Sequence, residues 1–124
     1  MKQALATAQA PAAIGPYSQG IAAGQTVYVS GQLPIDLATG AIPEGIAAQT
    51  AQSLKNIQAI LAEQGMTLAD VVKTTVFLAD MNDFAEMNKV YGEYFAQPFP
   101  ARSAVQVAKL PKGAPLEIEC IAVK

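Results

Sequence analysis

The sequence predicts a single α+β domain in which a mixed β-sheet carries two helices on one face. Runs of β-branched and aromatic residues alternate with two segments of helical periodicity, in the order β-β-β-α-β-α-β-β. The chain of 124 residues has the size of one domain, and no linker, repeat or low-complexity tract divides it. Helices that connect strands through right-handed crossovers pack on one side of the sheet, which leaves the other face without helices.

Three strands are predicted ahead of the first helix. From Tyr17 the chain has strand character up to a turn at Gly24-Gln25. Residues 26–30 are β-branched and aromatic, as strands usually are. A short third strand is expected near residues 32–36, before a turn at Thr39-Gly40.

Two helices are predicted from apolar residues that recur at spacings of three and four. The first covers residues 45–64 and is stopped by Gly65, a residue type that commonly follows a helix end. The second is capped by Asn82-Asp83 and ends before the prolines of residues 98–100. The apolar stripes are Ala47, Thr50, Ala51, Leu54, Ile57, Ile60 and Leu61 in the first, and Phe84, Met87, Val90, Tyr91, Tyr94 and Phe95 in the second.

Three more strands complete the pattern. Residues 71–78 form a strongly β-branched run between the two helices. Two further strands are expected at residues 103–109 and 116–123, separated by a loop at residues 111–113.

The composition limits the possible partners. Hydrophobic residues make up 52% of the chain and charged residues only 15%. Such a surface is expected to be partly covered by another chain, so the sequence predicts an oligomer. The net charge is −2 and no basic run exists, which disfavours nucleic acid and anionic membranes as partners.

The absence of histidine and the single cysteine narrow the chemistry further. A Ser-His-Asp triad and a histidine-ligated metal are excluded, and Cys120 alone can form neither an intramolecular disulfide nor a Cys-x-x-Cys site. Cys120 lies in an apolar run and is expected to be a buried structural thiol. No apolar run is long enough to span a membrane, and the N-terminal residues do not form a signal peptide, so a cytoplasmic location is expected.

Arg102 is the only arginine, and it follows two prolines where the chain enters a strand. A guanidinium is costly beside an apolar strand unless it has an anionic partner, and its planar fork suits a carboxylate. Arg102 is therefore a candidate anchor for a small acid. The alternative is an exposed or salt-bridged arginine at a strand edge.

Glu117 and Glu119 alternate with apolar residues, so both carboxylates lie on one face of their strand. Apolar surroundings raise the pKa of a carboxyl, which would suit proton transfer or the positioning of a water. The alternative is that both glutamates are solvated, and the pattern does not decide between the two.

Further candidates lie near strand ends and on the second helix. Tyr17 and Ser30 supply a phenol and a hydroxyl, and Gly31 lets a ligand approach the main chain closely. Asn88, beside the buried stripe of the second helix, is either a satisfied polar group or a substrate-binding residue, and packing is a sufficient role for Tyr91.

Taken together, five segments resemble the Rid (reactive intermediate deaminase) family over essentially the whole chain. They are residues 12–20 (AAIGPYSQG), 29–32 (VSGQ), 72–77 (VKTTVF), 99–105 (FPARSAV) and 116–119 (LEIE). The resemblance implies a chorismate-mutase-like fold assembled as a homotrimer with clefts between subunits. It also implies hydrolysis of 2-aminoacrylate and related enamines or imines, products of pyridoxal-phosphate enzymes, to 2-keto acids and ammonia without a cofactor.

The resemblance also implies roles for individual residues. Arg102 would bind the substrate carboxylate, and Glu117, rather than Glu119, would hold the attacking water with help from Gly31. Many members of the family have a cysteine two positions after this arginine, where this chain has Ala104. Tyr17 and Ser30 would line the pocket and stabilise the reacting groups, which makes Tyr17 a third catalytic candidate beside Arg102 and Glu117.

The predicted strands suggest that the site is shared between subunits. If the last two strands run antiparallel, Arg102 and Glu117 lie at opposite ends, roughly 20 Å apart at ~3.3 Å per residue. They would then reach one small substrate only from different chains.

Three other functions are compatible with the same residues. A trimeric sensor of small 2-keto acids would use Arg102 but not Glu117. A ribonuclease, an activity ascribed to some relatives, is disfavoured by the acidic charge, the single arginine and the lack of histidine. A structural or chaperone-like trimer would not need Arg102 for any biochemical activity.

Overall fold

A computed structural model describes residues 1–124 and confirms the predicted fold class, a six-stranded mixed sheet with two helices. The order of strands across the sheet is β1-β2-β3-β6-β4-β5. All neighbouring pairs are antiparallel except β4 and β5, which are parallel. The elements are β1 Lys2–Leu5, β2 Gly20–Ala23, β3 Thr26–Gln32, α1 Ile46–Ala62, β4 Val71–Leu78, α2 Phe84–Tyr94, β5 Ala101–Gln106 and β6 Leu116–Val123.

The three N-terminal strands differ from those predicted. The sheet begins with β1, an edge strand that the sequence analysis missed, and β2 starts at Gly20 rather than Tyr17. The strand predicted over residues 32–36 is wrong, because only an isolated bridge between Asp36 and Ala41 follows β3. Proline at position 34 offers no N–H to a ladder. The carbonyls of Leu33 and Ile35 accept hydrogen bonds from Asn56 Nδ2 of α1, both at 3.1 Å.

The helices agree more closely with the predicted pattern. Helix α1 is followed by Gly65 with φ 68°, and Met66 N–H donates to Leu61 O at 3.0 Å, as in a Schellman motif. The predicted caps of α2 are wrong. Asp83 makes no capping hydrogen bond, whereas Asp80 Oδ1 accepts from Asn82 N–H in a 3₁₀ turn at residues 81–83. Since that turn leads directly into α2, the side chain that begins the helical segment is Asp80.

The later strands fall close to their predicted positions. Strands β4 and β6 have the predicted bounds, whereas β5 starts two residues earlier than expected, at Ala101, and ends at Gln106 instead of position 109. Val107 N–H then donates to Leu78 O at 2.9 Å, which continues the contact with β4 beyond the strand.

Both helices pack on one face of the sheet and form the core with it. Leu54 and Ile57 of α1, Met87 of α2 and Ile118 of β6 are fully buried there. Neither helix is long and apolar enough to cross a membrane.

The opposite face, called here the open face, has no helix against it. Strand register places Tyr28 beside Ile121 and Val105 beside Phe77 on this face. Tyr28 is 50% exposed and Val105 41% exposed. The open face therefore has exposed apolar side chains beside polar ones such as Thr75 and Glu119, and no part of the chain covers it.

Candidate active site

The predicted site residues fall into two separate cavities. Tyr17, Ser30, Gly31 and Glu117 line a cavity of about 820 Å³, called here the carboxylate cavity. The second, the guanidinium cavity, has a volume of about 390 Å³. Its lining residues are Asn88, Tyr91, Gly92, Phe99, Pro100 and Arg102.

Glu117 projects from β6 onto the open face and lies against the backbone of Gly31. The register between β3 and β6 shifts between Val29 and Gln32, so Gly31 sits in an irregular part of the strand. A Cβ atom at position 31 would lie 2.6 Å from Glu117 Cδ and 2.8 Å from Glu117 Oε1. The Glu117 carboxyl group therefore occupies space that is free only because Gly31 has no side chain.

The Glu117 carboxyl is partly desolvated, as the alternating pattern of β6 suggested. Burial raises its pKa above the usual range, and the nearby charge of Glu119 raises the pKa further. Glu119 also lines the carboxylate cavity, but it is exposed. The protonation equilibrium of Glu117 is thus moved toward neutral pH, which suits a group that accepts and returns a proton.

Tyr17 and Ser30 are placed differently in the same cavity. Tyr17 is 54% exposed, and its hydroxyl oxygen accepts a hydrogen bond from Ile14 N–H at 3.4 Å. Ser30 Oγ donates to Ser18 O at 2.6 Å, so its hydroxyl hydrogen is engaged by the chain itself. Ser30 therefore fixes the neighbouring loop, and Tyr17 is the more accessible of the two to a ligand.

Arg102 lies on β5, on the face of the sheet that the helices cover. Its Nη1 donates to Asn88 Oδ1 at 2.7 Å, and its guanidinium carbon lies 4.7 Å from the centre of the Tyr91 ring and 5.5 Å from that of Phe84. The only ion pair in the structure joins Lys124 and Asp70. Arg102 is thus held by an amide and two aromatic rings without a carboxylate partner, and the predicted alternative of a salt-bridged arginine is wrong.

The ring of Tyr91 packs against the Arg102 guanidinium, a role that the sequence did not predict. Tyr91 is buried, and its hydroxyl lies 2.7 Å from Thr74 Oγ1 of β4. Burial raises the Tyr91 pKa, although the hydrogen bond to Thr74 and the charge of Arg102 oppose the change. The phenol therefore stays neutral, and its ring forms a fixed cation–π platform for the guanidinium. The sequence did contain a signal for this role, because Asn88 and Tyr91 are three residues apart on one helix and so lie on the same face of it.

The two candidate groups lie on opposite faces of the sheet. Arg102 is in register with Thr74, which points toward α2, and Glu117 is in register with Phe77, an odd number of residues further along β4. Strands β5 and β6 run antiparallel with Arg102 and Glu117 near opposite ends, as the prediction assumed, but β4 lies between them and the predicted separation of roughly 20 Å is wrong. Two strand spacings and three residues put their Cα atoms roughly 14 Å apart. The sheet itself keeps the two side chains apart within one chain.

Ala104 and Cys120 offer no nucleophile. Ala104 lies on the same face of β5 as Arg102 and packs against the core. Cys120 is buried, and burial raises the pKa of its thiol to about 12, with a smaller contribution from Glu119. Its predicted structural role agrees with this setting. No group of three or more cysteine, aspartate or glutamate side chains lies together as a metal site would require.

Comparisons with known proteins agree on one family. The sequence profile of the family described as Endoribonuclease L-PSP matches residues 7–124. The chain is 51% identical to the 2-iminobutanoate/2-iminopropanoate deaminase of Salmonella typhimurium, covering 100% of this chain and 99% of that protein. It is 52% identical to the protein of the same name from Bos taurus, over 100% of this chain and 91% of that protein.

Solved structures give the same result. The crystal structure of the Escherichia coli YjgF gene product superposes with a TM-score of 0.93, at 50% identity and with 98% of each chain covered. The structure of E. coli TdcF with bound serine superposes with a TM-score of 0.92, at 47% identity and with 98% of each chain covered. The fold deduced above is therefore shared by proteins whose sequences are similar along their whole length.

Proposed function

The chain belongs to the Endoribonuclease L-PSP family, the family to which its Rid-like motifs point, and from this membership we propose that it is an enamine/imine deaminase. Its substrates are 2-aminoacrylate and related 2-imino acids, and its products are 2-keto acids and ammonia. The observation that carries the proposal is the similarity, at about half of all positions and over the full length, to proteins named 2-iminobutanoate/2-iminopropanoate deaminase.

The chemistry requires little from the protein. A 2-imino acid is electrophilic at C2, and addition of water followed by departure of ammonia leaves a carbonyl at that carbon. Holding the substrate and the water in the reacting geometry, and moving the two protons of the water to the nitrogen, are sufficient for a useful rate. Arg102 and Glu117 have the charges for these two tasks.

Arg102 binds the substrate carboxylate in this proposal. Its guanidinium has no anionic partner within the chain, and Asn88 takes up only one of its donors. The remaining N–H groups can form the two parallel hydrogen bonds that a carboxylate accepts. Asn88 therefore acts on the substrate through Arg102, which modifies the expectation that Asn88 itself binds the substrate.

Glu117 holds the attacking water and accepts a proton from it as the C2–O bond forms. The same carboxyl passes that proton to the nitrogen, which gives a carbinolamine. It then takes the proton of the new C2 hydroxyl and delivers it to the nitrogen as the C2–N bond breaks, so that ammonia departs and a C2 carbonyl remains. Its raised pKa supports both steps, since a carboxyl that titrates nearer to neutral pH is a stronger base and still a usable acid. Gly31 fixes its place, and Tyr17 lines the same cavity.

We propose in addition that each complete active site lies between two subunits. Within one chain the sheet separates Arg102 from Glu117, so a three-carbon substrate reaches both only if they come from neighbouring subunits of a homotrimer. The open face, with the apolar side chains of Tyr28 and Val105 exposed, supports such an assembly. The proposal also includes a cytoplasmic location and, as its biological consequence, the removal of reactive imines.

The test couples the protein to a pyridoxal-phosphate dehydratase that generates 2-aminoacrylate from serine. The expected result is faster release of pyruvate, lost in Arg102→Ala but retained in Lys109→Ala, which removes a charge from an exposed position after β5. No acceleration by the folded wild-type protein would contradict the proposal.

Two alternatives are separated by further variants. If the chain is a sensor of 2-keto acids, the Glu117→Ala variant should still bind pyruvate. The wild-type protein should then show no imine turnover. The family's description favours a ribonuclease as a second candidate, and cleavage of RNA by the purified chain would establish it. Against it stand the net charge of −2 and the single arginine, since RNA binding normally uses clustered cations.

A further inference from the structure

The carboxylate cavity is walled in part by a long segment without helix or strand. Residues 6–19, called here the Tyr17 loop, connect β1 to β2. They contribute Pro11, Ala12, Ile14 and Tyr17 to the cavity. A connection of this length without regular structure holds one conformation only if side chains fix it.

The side chain of Gln19, the last residue of this loop, holds the loop in place through hydrogen bonds to its backbone. Its Oε1 accepts from Thr7 N–H at 2.7 Å, and its Nε2 lies within donating distance of Thr7 O at 3.1 Å, Ala10 O at 3.2 Å and Pro11 O at 2.8 Å. Gln19 is only 5% exposed. A carboxamide so buried is tolerated because both its ends are satisfied.

The other hydrogen bonds of the Tyr17 loop do not duplicate this one. Gln9 N–H donates to Thr7 Oγ1, and Tyr17 N–H to Gly15 O, so both bonds stay within the loop. Ser30 holds only the far end, where its Oγ donates to Ser18 O. The first half of the loop is thus tied to the sheet by the Gln19 side chain.

We propose that Gln19 is a positioning residue for imine hydrolysis, because its carboxamide clamps the Tyr17 loop in the conformation that keeps Tyr17 at the carboxylate cavity. The catalytic part of this inference rests on the proposed function, whereas the clamp itself does not. The Gln19 side chain contributes through the loop, since it points at the carbonyls of residues 7–11 rather than lining the cavity.

The decisive variant is Gln19→Glu, which keeps the shape and the acceptor for Thr7 N–H but replaces the donor with an oxygen. That oxygen would face the carbonyls of Thr7, Ala10 and Pro11 and be repelled by them. Amide hydrogen exchange over residues 7–18 should become at least about tenfold faster, as expected for the loss of one or two buried hydrogen bonds. Exchange in β4 and β6 should stay unchanged.

A double-mutant cycle separates positioning from a general effect on folding. Gln19→Glu should lower kcat/KM by about tenfold in the wild-type background and by much less in Tyr17→Ala, because the residue that it positions is then absent. A purely structural role predicts equal factors in the two backgrounds. Gln49→Glu is the matched control, since Gln49 Nε2 also donates to a backbone carbonyl, that of Pro43 at 2.8 Å, and should leave kcat/KM unchanged.

Each outcome has a distinct meaning. Unchanged exchange over residues 7–18 overturns the clamp, and equal factors in the two backgrounds overturn the positioning role. If the wild-type protein fails to hydrolyse 2-aminoacrylate, the proposed function and the catalytic role of Gln19 fail together, and the exchange measurement still decides the clamp. Should Gln19→Glu not fold, Gln19→Met removes both polar ends without adding charge and is judged by the same readouts.

Discussion

At the scale of single residues, neither Arg102 nor Glu117 has a partner of opposite charge within the chain. The guanidinium is surrounded by two rings and one amide, with no anion near it. The carboxyl is partly buried beside a second carboxylate. Arg102 is therefore free to pair with the carboxylate of a 2-imino acid, and Glu117 is free to accept a hydrogen bond from a water.

The charge of Glu119 should tune the pH dependence of the reaction. Because Glu119 helps to raise the Glu117 pKa, Glu119→Gln should lower that pKa, and the acid limb of the kcat/KM profile should move to lower pH. Burial persists in the variant, so the limb should stay above the range of an ordinary carboxyl. The control is Glu63→Gln, at an exposed position after α1, and an unmoved limb in Glu119→Gln would contradict the assignment of Glu117 as the base.

Glu117 should also lower the stability of the fold at neutral pH. Its pKa in the folded chain lies above the ordinary value of 4.5, so its contribution to stability is lost as the pH rises from that ordinary value through the folded pKa and the group must ionise. Glu117→Gln should therefore unfold at higher urea concentration than wild type at about pH 8, with a smaller difference at about pH 4. The comparison requires equal protein concentrations. A variant less stable than wild type at the higher pH would argue against a desolvated carboxyl.

At the scale of elements, the irregular end of β3 determines where the carboxyl can lie. Gly31 has no positive φ, so its backbone conformation is open to alanine, and the three atoms nearest to an added methyl group all belong to the Glu117 side chain. The requirement for glycine at position 31 is therefore a requirement of the site rather than of the fold.

Gly31→Ala should separate activity from stability. The added methyl group would displace the Glu117 carboxyl by about an ångström, a misplacement that can reduce turnover by about 100-fold. The urea midpoint should stay near that of wild type, because the displaced group is the end of a flexible side chain. Full turnover in Gly31→Ala would show that the close contact does not matter for catalysis.

The periodicity of apolar residues predicted strands and helices well where the segment packs against the core on one face only. The bounds of β4 and β6 and the extent of α1 follow from their alternating or helical patterns. The pattern was misleading for residues 32–36, where a side chain of α1 takes the backbone carbonyls, and it carried no signal for the short, mostly exposed β1. Such features depend on distant partners that a local pattern does not contain.

The site was predictable in its members but not in its arrangement. Residue chemistry singled out Arg102 and Glu117, and motif resemblance suggested their roles. That β4 lies between their strands, and that the two side chains leave the sheet on opposite faces, follows from the strand order. Likewise, the support of Arg102 by Tyr91 depends on how α2 packs on β4.

At the scale of the whole molecule, the low charge content and the exposed apolar side chains of the open face agree with each other. Tyr28, Val105 and Val123 are 50%, 41% and 39% exposed on that face, so several of its apolar side chains have no partner within the chain. Its burial between subunits would both stabilise the assembly and bring one subunit's carboxylate cavity toward another's guanidinium cavity. The proposed function thus depends on the oligomer, and this dependence can be measured.

The most direct measurement mixes two inactive variants. Arg102→Ala and Glu117→Gln are unfolded, combined in equal amounts and refolded together, with each refolded alone as a control. If every site takes its arginine and its glutamate from neighbouring subunits, random assembly leaves about one quarter of the sites with both native groups, and about that share of wild-type imine hydrolysis should return. Activity no higher than that of the separately refolded variants, from mixed trimers, would contradict the intersubunit site.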